Sequence, residues 1–239
     1  MIINSRAIVI HSIRYGEADL IVTLFTKTDG LKSYLQRGVL KSKKGKIRSS
    51  FFQPLTVLEI EASHKNKGTL ERIKDARVVS HYTTLHTDYM KSALVFFVSD
   101  ILKSSIQEEE TNIDLFEYLE TTLLWLDTHD NIANFHITFL IKLTQYLGFF
   151  PELSQKEEAY FNLQEGVFQS ISVNPYCVSG SHVLLFKEFL GTTFEASMNI
   201  KLSKNLRREI LAMLLVYFEL HLHGFKKPKS LSVLNEIFK

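Results

Sequence analysis

Cysteine is nearly missing from this chain, and its scarcity excludes a good deal. Among 239 residues there is one, Cys177, so no internal disulfide forms and no cysteine-based zinc site can be assembled. Proline (4) and glycine (10) are also sparse, which argues against long disordered linkers. No run of about 18 apolar residues occurs, so no segment reads as a membrane span. The opening, MIINSRAIVIHSIRYGEADL, lacks the charged n-region and small-residue cleavage site of a signal peptide. A cytoplasmic protein is the simplest expectation. HEXXH, Walker A, GXGXXG and GXSXG motifs are all missing. The nine histidines do not replace them. His221 and His223 are two apart, which on a helix sets them on different faces, and His81 and His86 lack a carboxylate or cysteine partner at ligand spacing. We expect no catalytic residues, no metal and no cofactor, and rank a binding protein above an enzyme.

What is present is ordinary in amount and uneven in placement. Hydrophobic residues make up 45% and charged residues 23%, as in a globular protein of one or two domains. The net charge of +2 conceals three blocks. Residues 1–80 hold fifteen Lys/Arg against seven Asp/Glu, residues 81–165 four against fourteen, and residues 166–239 nine against five. Such asymmetry suggests a basic module with a polyanionic partner, followed by a body with another task.

The basic module, residues 1–80, reads as five strands. SRAIVIHSI ends at Tyr15-Gly16-Glu17, and ADLIVTLFT ends at Asp29-Gly30, a strong hairpin signal. Leu31, Ser33 and Leu35 alternate with Lys32, Tyr34 and Gln36, giving a strand with two differently solvated faces. Pro54 precedes LTVLEIEA, and a polar break at His64–Gly68 precedes TLERIKDARVV. Five strands in about 75 residues suit a small barrel of the OB type, a fold that commonly binds single-stranded nucleic acid. Between the third and fourth runs lies RGVLKSKKGKIR, with Arg37, Lys41, Lys43, Lys44, Lys46 and Arg48 and no acid among them. A solvated surface loop has the same composition as a phosphate-binding one. Arg14, Lys27, Lys32, Lys65, Lys67 and Arg72 extend the basic track, and Tyr15, Tyr34, Phe51 and Phe52 are candidates for stacking on bases. Core packing is the competing role for Tyr34 and the two phenylalanines. Gly45 and its neighbours suggest a loop that orders on DNA.

From Tyr82 the period changes to 3.6, and residues 81–239 read as a helical domain. HTDYMKSALVFFVSDILKSSI, a helix after Thr111-Asn112 with the stripe Phe116, Leu119, Leu123 and Leu126, and ANFHITFLIKLTQYLGFF are expected to form a bundle, with Glu108–Glu110 as a solvated turn. Residues 152–180 show no long period and read as irregular, with a hairpin near Glu165-Gly166. Helices resume at HVLLFKEFL, then after Ser203 as N-cap, and finally at LSVLNEIF. A second basic set, Lys204, Arg207, Arg208, Lys226, Lys227 and Lys229, lies here, and a basic helix end with a solvated turn is its plain reading.

These segments in this order resemble the RecO family of bacterial recombination mediators over nearly the whole length. The resemblance rests on SRAIVIHSIRYGEADLIVTLFTKTDGL, QRGVLKSKKGKI and FQPLTVLEIE, then FLIKLTQYLGFFPEL, then GFKKPKSLSVL. The acidic middle and FELHLHGFKKPKSL are similar to the Bacteroidetes branch. The resemblance implies an α+β chain, an N-terminal OB barrel and a helical domain, often with a four-cysteine zinc module after the Leu-Gly-aromatic helix. That module would fall in residues 152–180, where Cys177 is the one thiol.

The implied activity is binding of single- and double-stranded DNA, annealing of complementary strands, and loading of RecA with RecR by way of the acidic C-terminal tail of single-stranded DNA-binding protein, SSB. The second basic set is then a candidate seat for DNA or for that tail. The alternative is a protein–protein adaptor whose DNA affinity is incidental, drawn from the acidic helices and the lack of any base-reading motif.

Overall fold

The period-two runs of the first 80 residues become five strands in the computed structural model, which describes residues 1–42, 45–65, 69–106 and 111–238. They are β1 (Ile2–Tyr15), β2 (Asp19–Thr26), β3 (Gly30–Gln36), β4 (Val57–Ser63) and β5 (Arg72–Val78). Neighbours are antiparallel in the order β3-β2-β1-β4-β5. A parallel bridge between Tyr34 and Glu71 closes the ring. There the Leu35 amide donates to the Glu71 carbonyl at 3.0 Å and the Glu71 amide to the Ser33 carbonyl at 2.8 Å. The result is a five-stranded Greek-key barrel of the OB type. β1 serves both halves: Ile2–Ile8 pair with β4 and Ala7–Tyr15 with β2. An irregularity between Val9 and His11 lets it bend from one to the other. Gly16 and Gly30 take positive φ at the two hairpin turns, as expected of them.

Alternation along β3 resolves in favour of the polar set. Tyr34 and Gln36 are buried, whereas Leu31, Ser33 and Leu35 are only partly so. Tyr34 is fully enclosed, and its hydroxyl meets His64 Nε2 at 2.8 Å. A polar tip finds its partner inside, so the ring adds its apolar area to the core at little desolvation cost.

Helices α1 (Tyr89–Ser105) and α2 (Ile113–Thr128) belong to the same compact unit, Met1–Thr128, as the barrel. Asp88 caps α1 by accepting from the Lys91 amide, and Ser99 Oγ donates to the Ile10 carbonyl of β1 at 2.6 Å. Asn112 caps α2 through the Leu115 amide. Glu117 and Glu120 on α2 hold Lys27 and Arg6 of the barrel, each at 2.8 Å. Asp127 pins the chain between β5 and α1, accepting from the amides of Thr83, Thr84 and Leu85. Burial alone would raise its pKa, but these amides and the Thr84 hydroxyl outweigh it and hold the carboxyl at about 2.

The second unit, His129–Lys239, contains α3 (Phe135–Tyr146), β6 (Tyr160–Asn162), β7 (Val167–Gln169), β8 (Cys177–Ser179), α4 (Ser181–Phe189), α5 (Phe194–Ser197), α6 (Lys204–His221) and α7 (Leu231–Ile237). The expected three-helix bundle is therefore divided, with α1 and α2 in the first unit and α3 in the second. Residues 152–180 carry the expected hairpin at Glu165-Gly166, β6 with β7, but are not otherwise irregular: β8 completes an antiparallel sheet in the order β7-β6-β8. Strands of three residues are too short to show a period. Ser203 caps α6 as expected, through the Leu206 amide.

A four-cysteine zinc module does not fit these residues. Cys177 Sγ instead accepts from Gln169 Nε2 at 3.3 Å, and no group of three His, Cys, Asp or Glu among the described residues is placed to hold a metal. Aromatic packing holds the small sheet. Phe161 lies 4.8 Å, ring to ring, from both Phe168 and Phe186, and 5.7 Å from Tyr217. Gly166 has φ +71°, and a Cβ there would sit 2.7 Å from the Tyr217 hydroxyl, so the turn requires glycine on both counts. His221, one of the histidines set aside as a metal ligand, stacks on Phe149 and meets the Leu163 carbonyl at 2.9 Å.

Candidate nucleic-acid interface

The basic loop leaves β3 at Arg37 and is anchored before it projects. Gly38, at φ +69°, donates its amide to Asp19 Oδ1 at 2.7 Å, and the Leu40 amide donates to the Ala18 carbonyl. Val39 is buried in the barrel core, with Leu40 and Ile47 packed against it. Apolar residues thus fix the loop while Lys41 and Lys46 between them stay at the surface. A Cβ on Gly45 would fall 2.6 Å from Ser42 Oγ, so a side chain there would turn the exposed Ser42 hydroxyl aside. Lys43 and Lys44, and with them the expected ordering of the loop on DNA, lie outside the described residues, as do Lys67 and Glu108–Glu110.

β3 and β5 touch only near Tyr34 and Glu71 and then diverge, leaving a seam with a groove of about 640 Å³. Arg37, Lys46, Lys65, Arg72 and Lys74 line it, over a floor that includes Leu35, Val39, Ile47 and Ile73. Glu71 is the one carboxylate among the described residues that line it; it is buried, and both its oxygens accept from the Lys65 amide, at 2.9 and 2.8 Å. Its charge is spent on the backbone, so the cations dominate the field in the groove.

Four candidates from the sequence, Arg37, Lys46, Lys65 and Arg72, therefore come together, although up to 35 residues separate them along the chain. None forms an ion pair with a described residue. Lys41 Nζ instead meets Glu17 at 2.9 Å, an exposed pair of little strength. Arg48 is exposed but outside the groove lining, and Arg14 is exposed at the end of β1. Lys32 is half-buried opposite Leu24. Lys27 is held by Glu117. Lys74 was not among the candidates; its position two residues after Arg72 on a strand was the available signal, though it also lies 3.8 Å from Glu61.

Of the stacking candidates, Tyr34 and Phe52 are core residues and Phe51 is packed against that core. Burial, helped by Asp29 and Glu71, also raises the Tyr34 phenol pKa. Tyr15 alone of the four is well exposed, at 55%. It does not line the groove.

The second basic set separates into two trios. Lys204, Arg207 and Arg208 occupy the first five residues of α6, while Lys226, Lys227 and Lys229 follow its end. A helix of 18 residues spans about 27 Å. The first trio sits at the positive end of the helix dipole, where cations are disfavoured, and that turn has no acidic residue. Arg207 Nε donates to Asn134 Oδ1 at 3.2 Å, and Arg208 Nη2 donates to the Asn235 carbonyl at 3.2 Å. His136 beside them is fully buried, and burial together with the Arg207 charge lowers its pKa to about 3. Lys227 pairs with Glu219 at 3.2 Å.

No described helix is long and apolar enough to cross a membrane. An OB barrel with a cationic seam, followed by a helical region, is an α+β architecture, and OB barrels commonly serve nucleic-acid binding. The family models for the N-terminal and C-terminal regions of recombination protein O match residues 1–82 and 86–231. Curated relatives named DNA repair protein RecO are similar over the whole of both chains: 52% identical in Christiangramia forsetii, 47% in Flavobacterium psychrophilum and 33% in Bacteroides fragilis. The chain belongs to the RecO family, and its function lies in DNA repair and recombination.

Proposed function

We propose that the chain is a recombination mediator, not a catalyst of bond making, acting in the cytoplasm at the nucleoid. Residues 1–80 serve as the OB domain that takes DNA, and residues 81–239 as the helical domain. The observation that carries this reading is the seam groove, in which Arg37, Lys46, Lys65, Arg72 and Lys74 face one another over an aliphatic floor. The groove suits a single strand, held by its phosphates. Duplex binds across the exposed loop, where Lys41, Lys43, Lys44 and Arg48 neutralise both backbones, with Arg14, Lys32 and Lys67 extending the track. Cations that hold two strands close remove their repulsion, while individually weak contacts let the strands exchange. That combination is what annealing requires, and with RecR it serves the loading of RecA on SSB-coated DNA.

The seat for the acidic SSB tail is assigned to Lys204, Arg207 and Arg208, beside His136 and Leu211. An acidic, apolar-ended peptide needs that pairing of cations with an apolar depression. Lys226, Lys227 and Lys229 form a separate, exposed basic turn for DNA. Strand annealing by the purified protein tests the reading, on naked strands and on strands coated with SSB that has or lacks its tail. Annealing of naked strands is expected, with coated strands annealed only when the tail is present. A protein that anneals neither, yet still binds SSB, is the protein–protein adaptor instead.

A further inference from the structure

The pocket at the start of α6 is nearly full. Lys204, Arg207 and Arg208 stand on one side, with His136 and Leu211 beside them; α7 supplies the rest through Leu234, Asn235 and Phe238. About 10 Å³ remains open, less than a water molecule's share of about 30 Å³. The occupant is this chain's own α7 with Phe238. Leu234 is buried, the Phe238 ring lies 5.4 Å from the His136 ring, and the Asn235 carbonyl accepts from Arg208. No carboxylate is among the described residues that line the pocket.

The covering segment reads Asn235-Glu236-Ile237-Phe238: an acid, an aliphatic residue and an aromatic in succession. It has the chemistry that three cations around an apolar depression select. Its hold is slight. α7 has seven residues, of which Leu234 alone is buried, while Glu236 is exposed and Val233 is 49% exposed.

We propose that α7 is a displaceable occupant of this seat, and that an acidic peptide with an apolar, aromatic end binds by replacing Phe238 and the last turn of α7. The proposal rests on the assignment of Lys204, Arg207 and Arg208 as the seat of an acidic tail. It adds a built-in competitor: affinity is reduced by the fraction of molecules in which α7 is docked. The seat therefore answers only to ligands that outcompete it, such as one with several acidic residues where this chain has Glu236.

The probe is a fluorescent synthetic peptide of three aspartates followed by Ile-Phe with a free carboxylate. Phe238→Ala in the full chain is expected to bind it about tenfold more tightly than the unaltered protein. Hydrogen exchange on the unaltered protein gives a second readout without any substitution. Amides of residues 231–237 should exchange faster once the peptide is added. Equal affinity of the two proteins, with exchange in α7 unchanged or slowed, overturns displacement while leaving the seat intact. No binding by either protein, or binding that survives Lys204→Glu with Arg208→Glu, overturns the seat and the displacement with it.

Discussion

In the barrel unit Arg37, Lys46, Lys65 and Arg72 face a groove of about 640 Å³; in the helical unit Lys204, Arg207 and Arg208 face about 10 Å³. Both sites join cations to aliphatic surface, yet they differ in what already satisfies them. In the barrel the neighbouring acid is disposed of internally, Glu71 on the Lys65 amide, so the cations face solvent. In the helical unit the cations are engaged with Asn134 and the Asn235 carbonyl, and the apolar area is covered by α7. An open row of charges suits a long polyanion of any sequence, whereas a filled seat suits a short ligand with a matching end.

Net charge does not distinguish the two units. Residues 1–128 hold seventeen Lys/Arg and sixteen Asp/Glu, and residues 129–239 eleven and ten, so each is +1. The basic first block and the acidic second block meet within one unit, where Glu117 and Glu120 neutralise Lys27 and Arg6. Placement, not the sum, makes the seam basic.

The comparison breaks most directly by charge reversal. Arg37→Glu, Lys46→Glu and Arg72→Glu together are expected to weaken single-strand binding about a hundredfold at low salt. They should also flatten the plot of log affinity against log salt by about two. Affinity for the acidic peptide should hold; a parallel loss there means the two sites are one. Acid separates the units next. His136 has a folded pKa of about 3 against 6.5 unfolded, so the unfolded state takes up the proton first. Stability of the second unit is complete above pH 6.5 and falls towards pH 3, by about 2 kcal/mol at pH 5. Asp127 has the opposite charge type and a lower window: its contribution to the first unit is complete above 3.8 and is lost only as pH falls towards 2. Burial also lowers the pKa of His11 on β1, which is less enclosed than His136, so melting followed at pH 7 and pH 5 should show the helical unit moving and the barrel unit moving less.

The smallest effect tests the buried aromatic. Tyr34→Phe removes the bond to His64 and should cost the barrel about 1 kcal/mol in denaturant unfolding, with DNA affinity changed by less than about twofold. A large loss of DNA affinity in a protein of normal stability would return Tyr34 to the interface.

Much of the barrel was legible because its signals are local. Gly16 and Asp29-Gly30 mark turns where positive φ is needed, and period-two runs mark the strands between them. The helix after Ser203 was legible for the same reason, a cap followed by a 3.6 stripe. Of the β6–β8 sheet only the hairpin at Glu165-Gly166 was legible, because three-residue strands carry no period and their stability comes from Phe161, Phe168, Phe186 and Tyr217, brought together from separate elements. Among the basic residues, sequence named four of the five cations in the groove. It did not separate them from Lys27, which is equally basic and lies against Glu117, 90 residues on.

By itself the sequence determined the strands of the barrel and the long helices, the family, and the lack of a cysteine zinc site, since each follows from residues near one another or from a count. Tertiary structure decided which side of β3 faces inward and which cations remain available. Alternation shows that a strand has two faces without saying which one a partner 30 residues away will cover, as His64 covers the tip of Tyr34. Charge pairing depends on distance in space, which falls as one over the separation between charges and has no image in chain order until the barrel closes.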